Sequence, residues 1–307
     1  MNFIKEKSEL AIVACLGILL LIGGIWDKQI SQGIMNQGSL FGTFFQNYGL
    51  IFPGIILFMS TQIFIYYAKK SNLPNFGKGS IYFIAIIAGL YQIWQMIKIM
   101  LFYTVTSLNN RQNNQPIGAA NNDGGGAMSF PNWFFPALVI LSLFTFAVGC
   151  MLCNRWLKGK NQQELNGLVL IGLGAIVTVY AANTIVDVMK TLWGRFRPYE
   201  LQSNWAEYTS WWSINGANGH KSFPSGHSEQ AWLALYLPLF VDPLKKKKRQ
   251  IMVILASVFG CFVAFSRVRI GAHFLSDVAV GSVIAIFVIY VVSRLLNQRL
   301  DGESLSE

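Results

Sequence analysis

Apolar runs of helix length recur along the chain, separated by short polar stretches. They cover Leu10–Trp26, Tyr48–Ala68, Ser80–Tyr103, Trp133–Cys153, Gly167–Val188, Ser225–Val241, Ile251–Phe265 and Asp277–Leu296. A bilayer core about 30 Å thick needs about 20 apolar residues in a helix. The pattern predicts an all-α, polytopic transmembrane bundle of about eight spans. Trp26 fits an interfacial aromatic at the far end of the first run, and Pro53 interrupts the second early. Lys98 falls inside the third, roughly one turn from its outer end, where a long side chain can snorkel to the interface; the other reading gives it a functional role.

The polar stretches read as loops and ends. Residues 27–47 read as an outer loop, and residues 104–132, rich in Asn, Gln and Gly and including Asp123–Gly126, as a flexible one. Residues 199–223 form a loop rich in Trp, Ser and Asn. No cleavage pattern follows the first run, so it reads as a retained helix. The expected organisation is an N-terminal region of four spans over 1–160, with no function assigned, a four-span core over 161–300, and a tail over 301–307.

Composition supports a membrane protein. The 307 residues are 53% hydrophobic and 12% charged, whereas soluble domains carry about 25% charged residues. The net charge of +10 raises the possibility of nucleic acid, but its placement speaks for topology. With eight spans, fifteen Lys and Arg fall on the side of the termini, among them Lys245–Lys248 and Arg249, and eight on the other side. Six of those eight, Lys190, Arg195, Arg197, Lys221, Arg267 and Arg269, crowd into one region. The positive-inside rule then makes both termini cytoplasmic and turns that region outward. Nucleic acid is not an expected partner; the bilayer is. The four cysteines lie in or beside apolar runs, and Cys150 and Cys153 have no thioredoxin-like context.

That outward region holds the candidate chemistry. Lys190 and Arg197 are seven apart, two turns of one helix face if the helix continues until Pro198. Two cations there suit a phosphate: Arg as a bidentate fork, Lys as a point charge. Pro224-Ser225-Gly226-His227 precedes an apolar run. Ser225 suits an N-cap, Gly226 permits close approach to a ligand, and a helix N-terminus favours an anion. From Ser225 to Val241 a helix covers about 25 Å, which recesses the site to about the outer headgroup boundary. His273 and Asp277 are four apart, so a helix would let the carboxylate fix the imidazole tautomer. Alone, each block has a plain structural explanation: interfacial cations, a helix start, a His–Asp pair. The chain has only three histidines, His220, His227 and His273; His220 reads as a loop residue.

Together the blocks read K-x6-R-P, P-S-G-H and S-R-x5-H-x3-D, the last beginning at Ser266-Arg267. Complete and in order, they resemble the signature of the type 2 phosphatidic acid phosphatase superfamily over roughly Val186–Val280. The blocks are mostly His, Lys and Arg with one carboxylate and resemble no metal cage, so a metal-independent phosphoryl transfer with no cofactor is expected. The resemblance implies that His273 attacks phosphorus to form a phosphohistidine, that His227 protonates the leaving oxygen and that Asp277 orients His273. Lys190, Arg197 and Arg267, with the backbone and hydroxyl around Ser225 and Gly226, would hold the phosphate. The expected substrate is a lipid phosphate or diphosphate, with undecaprenyl diphosphate first and phosphatidylglycerol phosphate and phosphatidic acid open. Glucose-6-phosphatase-like enzymes and lipid phosphotransferases share the pocket and stay as alternatives. A transporter or channel, with Lys98 and Asp187 near membrane depth, is the alternative of another class. The oligomeric state is not legible.

Overall fold

The computed structural model describes residues 3–119, 130–201, 203–298 and 300, with side chains from residue 14 onward. Asp123–Gly126 and the 301–307 tail lie outside the described residues. The fold is all-α. Its helices are α1 (Phe3–Ile34), α2 (Leu40–Tyr48), α3 (Ile51–Lys70), α4 (Asn75–Gln112), α5 (Phe134–Leu157), α6 (Gln162–Trp193), α7 (Gly226–Trp232), α8 (Lys246–Arg269) and α9 (Leu275–Leu295). Among the described residues, seven segments are long and apolar enough to cross a membrane, α2 and α3 counting as one, and this is a multi-pass membrane protein.

The eighth expected crossing, Ser225–Val241, takes another form. After α7 the chain tightens into a 3-10 helix over Leu233–Phe240 that contains Pro238. Proline has no N–H to give the carbonyl four residues back, and its ring crowds that carbonyl. The tighter helix also rises further, about 2.0 Å per residue against about 1.5 Å, so α7 and its extension still cover about 26 Å. Tyr236 anchors the extension by donating its hydroxyl to the Ile171 carbonyl of α6 at 2.7 Å.

Two stretches expected as outer loop are helical. α1 continues beyond Trp26 to Ile34, since residues 27–32 contain neither Gly nor Pro, and α2 follows after a short turn. Ser39 caps α2 by accepting from Gly42 N–H at 3.1 Å. α4 runs on past Tyr103 to Gln112. At about 57 Å it exceeds any bilayer core, so its last turns stand clear. Lys98 is exposed on this helix.

The core has two parts. α3, α6, α9 and the 3-10 helix share a cluster that includes Ile63, Leu168, Val179, Leu239 and Ile289. Phe58, Ile93, Ile97 and Leu138 join α3, α4 and α5. One end of the bundle carries Lys69, Lys70, Lys78, Arg155, Lys158, Lys160 and the Lys245–Lys248 run. Arg249 departs from that run: it is fully buried and donates to the Val241 carbonyl at 2.6 Å, tying the 3-10 helix to α8. The opposite end, where α6 and α8 stop and α7 and α9 start, holds the candidate chemistry.

Candidate active site

Lys190 lies in the last turn of α6, which does not continue to Arg197. The helix ends at Gly194, whose φ of +50° is left-handed and favours glycine. A β-carbon there would also collide with the Gly216 carbonyl. The shared helix face expected for Lys190 and Arg197 is therefore absent. Arg197 comes from the loop beyond, buried, with its N–H donating to Glu200 Oε2 at 2.7 Å and its Nη1 to Tyr199 Oη at 3.3 Å.

The 199–223 loop folds back over this end. Phe223 stacks on Trp193 with ring centroids 5.1 Å apart and on Trp211 at 6.2 Å. Trp193 Nε1 donates to the Trp211 carbonyl, and Asn218 to the Gly194 carbonyl. His220 stays in the loop, stacked on Phe196 at 3.5 Å with Nδ1 3.2 Å from Glu200 Oε2.

Ser225 is the N-cap of α7, accepting from Ser228 N–H at 3.3 Å. Its own N–H donates to the Asp277 carbonyl at 3.0 Å, so that donor is committed within the protein. Gly226 and His227 supply the first-turn N–H groups, which have no partner inside a helix. Gly226 also makes room for Lys190: a β-carbon there would lie 2.8 Å from Lys190 Nζ. A cavity of about 360 Å³ opens at this point, lined by Asn183, Asp187, Lys190, Gly226, Glu229 and Gln230.

His227 and His273 share one electrostatic neighbourhood with the cations. The charges of Arg267 and Lys190, and the ring of His273, bear on His227. Arg197 and Arg267 bear on His273. Arg267, in the last turn of α8, is buried and donates Nη1 to Gln46 Oε1 at 2.9 Å. The Gln46 carbonyl lies 3.3 Å from His227 Nε2, and Tyr103 stands edge-on to the same ring at 5.6 Å.

The contact expected between Asp277 and His273 is indirect. His273 precedes α9 instead of sharing a helix with Asp277, and its Nδ1 is 3.8 Å from Asp277 Oδ2, too far for a direct hydrogen bond. Nδ1 instead lies 2.6 Å from the Ser222 carbonyl, while the Ser222 hydroxyl donates to Asp277 Oδ2 at 2.5 Å. The same Oδ2 caps α9, accepting from Phe274 N–H at 2.8 Å. Burial pushes the imidazole of His273 down to about 3; Asp277 opposes this, and the Arg197 and Arg267 charges add to it. The ring is therefore neutral at ordinary pH.

Four residues at this site escaped the sequence reading: Asp27, Gln46, Arg195 and Ser222. Arg195 is buried, donates Nη1 to Asp277 Oδ1 at 2.6 Å and to Ser276 Oγ at 2.9 Å, and gives Nη2 to Asp27 Oδ2 at 3.1 Å. Its guanidinium lies over the Phe274 ring, 4.1 Å from the centroid. The signal for Asp27 was an acidic residue on a helical stretch without a breaker. Gln46 and Ser222 each face a histidine through a main-chain carbonyl, a contact that leaves no trace in a sequence.

Comparison with curated proteins and with solved structures yields no match. The family model described as the PAP2 superfamily matches residues 170–301, a stretch that holds Lys190, Arg197, His227, Arg267, His273 and Asp277. Residues 170–301 are thus a PAP2 superfamily domain, set in a multi-pass membrane protein.

Proposed function

We propose that this protein removes the terminal phosphate of a lipid phosphate or diphosphate at the extracytoplasmic face of the membrane, through a phosphohistidine at His273. The observation that carries this reading is the meeting of two imidazoles with Lys190, Arg197 and Arg267 at one end of the bundle. Phosphoryl transfer needs little from a protein beyond positioning and positive charge around the equatorial oxygens. Those three side chains supply the charge, and the N–H groups of Gly226 and His227 add donors.

A carbonyl only accepts, so the Ser222 contact requires the proton of neutral His273 on Nδ1. The Nε2 lone pair then attacks phosphorus as the bond to the leaving oxygen breaks. His227 gives that oxygen a proton. Water, losing a proton to His227, next attacks phosphorus; the P–N bond breaks, releasing phosphate and restoring His273. Asp277 acts on His273 through Ser222.

Orientation follows from the basic end opposite the site, which the positive-inside rule assigns to the cytoplasm, with both termini. For an outward site next to lipid, undecaprenyl diphosphate is the leading substrate. The division into an N-terminal region over 1–160 and a core over 161–300 is retained as an organisation of the sequence, though the two meet at the site.

The test is phosphate release by purified protein in mixed micelles containing EDTA. The panel is undecaprenyl diphosphate, phosphatidylglycerol phosphate, dioleoylphosphatidic acid and glucose 6-phosphate. Release from a lipid substrate, abolished by His273→Ala, is the expected result. Release from glucose 6-phosphate alone, or full activity in His273→Ala, would overturn it.

A further inference from the structure

Asp27 belongs to α1, far outside the stretch that the family model matches, yet its partners surround Asp277. Its Oδ2 accepts from Arg195 Nη2 at 3.1 Å and from the Ser276 hydroxyl. Its Oδ1 accepts from Ser276 N–H at 3.0 Å. The side chain is fully buried. α1 comes this close because Gly23, one turn earlier, has no side chain: a β-carbon there would lie 3.0 Å from Asp27 Oδ1 and from Ser276 N.

The charges decide what this contact does. Arg195 paired with Asp277 alone would be neutral. Asp27 shares the same guanidinium, so two carboxylates face one cation and the buried group carries a net negative charge. Uncompensated buried charge is costly, and this cluster has a neighbour that uses it. When Nε2 of His273 bonds to phosphorus, Nδ1 keeps its proton and the ring turns cationic. Arg197 and Arg267, which hold the phosphate, oppose that cation. The carboxylate of Asp277, 3.8 Å from Nδ1, favours it, but only to the extent that Arg195 does not cancel it. A fixed charge aimed where charge develops accelerates the step.

We propose that Asp27 is a positioning residue for the reaction, acting through Arg195 to leave net negative charge on Asp277 facing His273 as the phosphohistidine forms. The N-terminal spans are then part of the catalytic unit. This inference rests on the phosphohistidine reading given above.

The experiment uses full-length protein with 32P-labelled undecaprenyl diphosphate or dioleoylphosphatidic acid, whichever wild type turns over faster. The variants are Asp27→Asn, which keeps the shape and drops the charge, and Asp27→Glu, which keeps the charge. Turnover, base-stable and acid-labile phosphoenzyme, and thermal stability are measured together. Asp27→Asn should lower kcat about 30-fold or more with KM within about threefold, and slow phosphoenzyme formation by a similar factor. Asp27→Glu should keep at least about a third of kcat, which a purely structural role would not predict. Asp27→Asn with kcat within about twofold of wild type, or equal losses in both variants, would overturn the proposal. A wild type that turns over neither lipid, or forms no phosphohistidine, defeats the underlying reading as well, and so is distinguished from failure of Asp27 alone.

Discussion

His273 Nδ1 lies 2.6 Å from the carbonyl oxygen of Ser222. The main chain, and not a carboxylate, therefore fixes which ring nitrogen is free. Ser222→Ala keeps that carbonyl and removes only the hydroxyl on Asp277 Oδ2, which retains Phe274 N–H and the pull of Arg195 on its partner oxygen. The expected cost is about 1.5–3 kcal/mol of stability, the usual value of a hydrogen bond to a charged group. Activity should stay within about tenfold of wild type. Loss of all turnover in folded Ser222→Ala would mean that the hydroxyl link to Asp277, and not the carbonyl, holds the ring.

Gly226→Ala separates activity from stability. The new methyl group would stand 2.8 Å from Lys190 Nζ, and the ammonium, at the end of a flexible chain, has to swing away. Alanine favours the helix over glycine by up to about 1 kcal/mol, so thermal stability should hold. The phosphate loses a point charge. KM should rise and kcat/KM fall by about tenfold to a hundredfold. Unchanged kinetics would remove Lys190 from the phosphate site.

The pH profile follows from His273. Its folded-state value of about 3 lies below the usual imidazole value of 6.5, so the ring stays neutral, and nucleophilic, through mildly acidic pH. After correction for the ionisation of the substrate phosphate, kcat/KM at pH 5 should keep at least about half its maximum. It should fall on the alkaline side. Burial and the Arg267 charge hold His227 well below the ordinary imidazole value in the empty site, so the alkaline limb reports loss of the His227 proton only where the substrate's phosphate charge offsets that cation. An acid limb centred near the ordinary imidazole range would contradict the buried, neutral ring. The same shift bears on stability. Between 6.5 and about 3 the unfolded chain binds a proton at His273 that the folded chain refuses. Stability from this group is thus present above that window and lost as pH falls through it. Melting temperature should drop less between pH 7 and pH 4 in His273→Gln than in wild type.

Much of this was legible because membrane helices and phosphate sites impose strong patterns. The runs ending at Val188 and Phe265 and starting at Asp277 place Lys190, Arg267, His273 and Asp277 near one end from the sequence alone. What stayed hidden has physical causes. The hydrophobic pattern marks where a helix leaves the bilayer, not where it stops, so α1 and α4 outlast their apolar runs and Asp27 falls where the pattern alone reads as loop. The 3-10 extension after α7 is as apolar as an α-helix, and only Pro238 hints at the change. Two turns of spacing suggested that Lys190 and Arg197 share a face, but Gly194 ends the helix first. The Ser222 contact is made by backbone, which every residue has.

Sidedness can be tested without any substrate. Lys221 is exposed in the loop over the site, and Lys247 is exposed in the basic turn at the other end of the bundle. In a variant with Cys15, Cys150, Cys153 and Cys261 replaced by alanine, Lys221→Cys and Lys247→Cys are made one at a time. Cys153 is buried and the other three are at least partly accessible, so the background is first checked for phosphate release. A membrane-impermeant maleimide applied to intact cells should label Lys221→Cys. It should reach Lys247→Cys only after the membrane is opened, because each Lys or Arg in short loops favours the cytoplasmic side during insertion. Labelling of Lys247→Cys in sealed cells would place the basic turn outside. The phosphate site would then face the cytoplasm, and a lipid substrate presented on the outer leaflet would be out of reach.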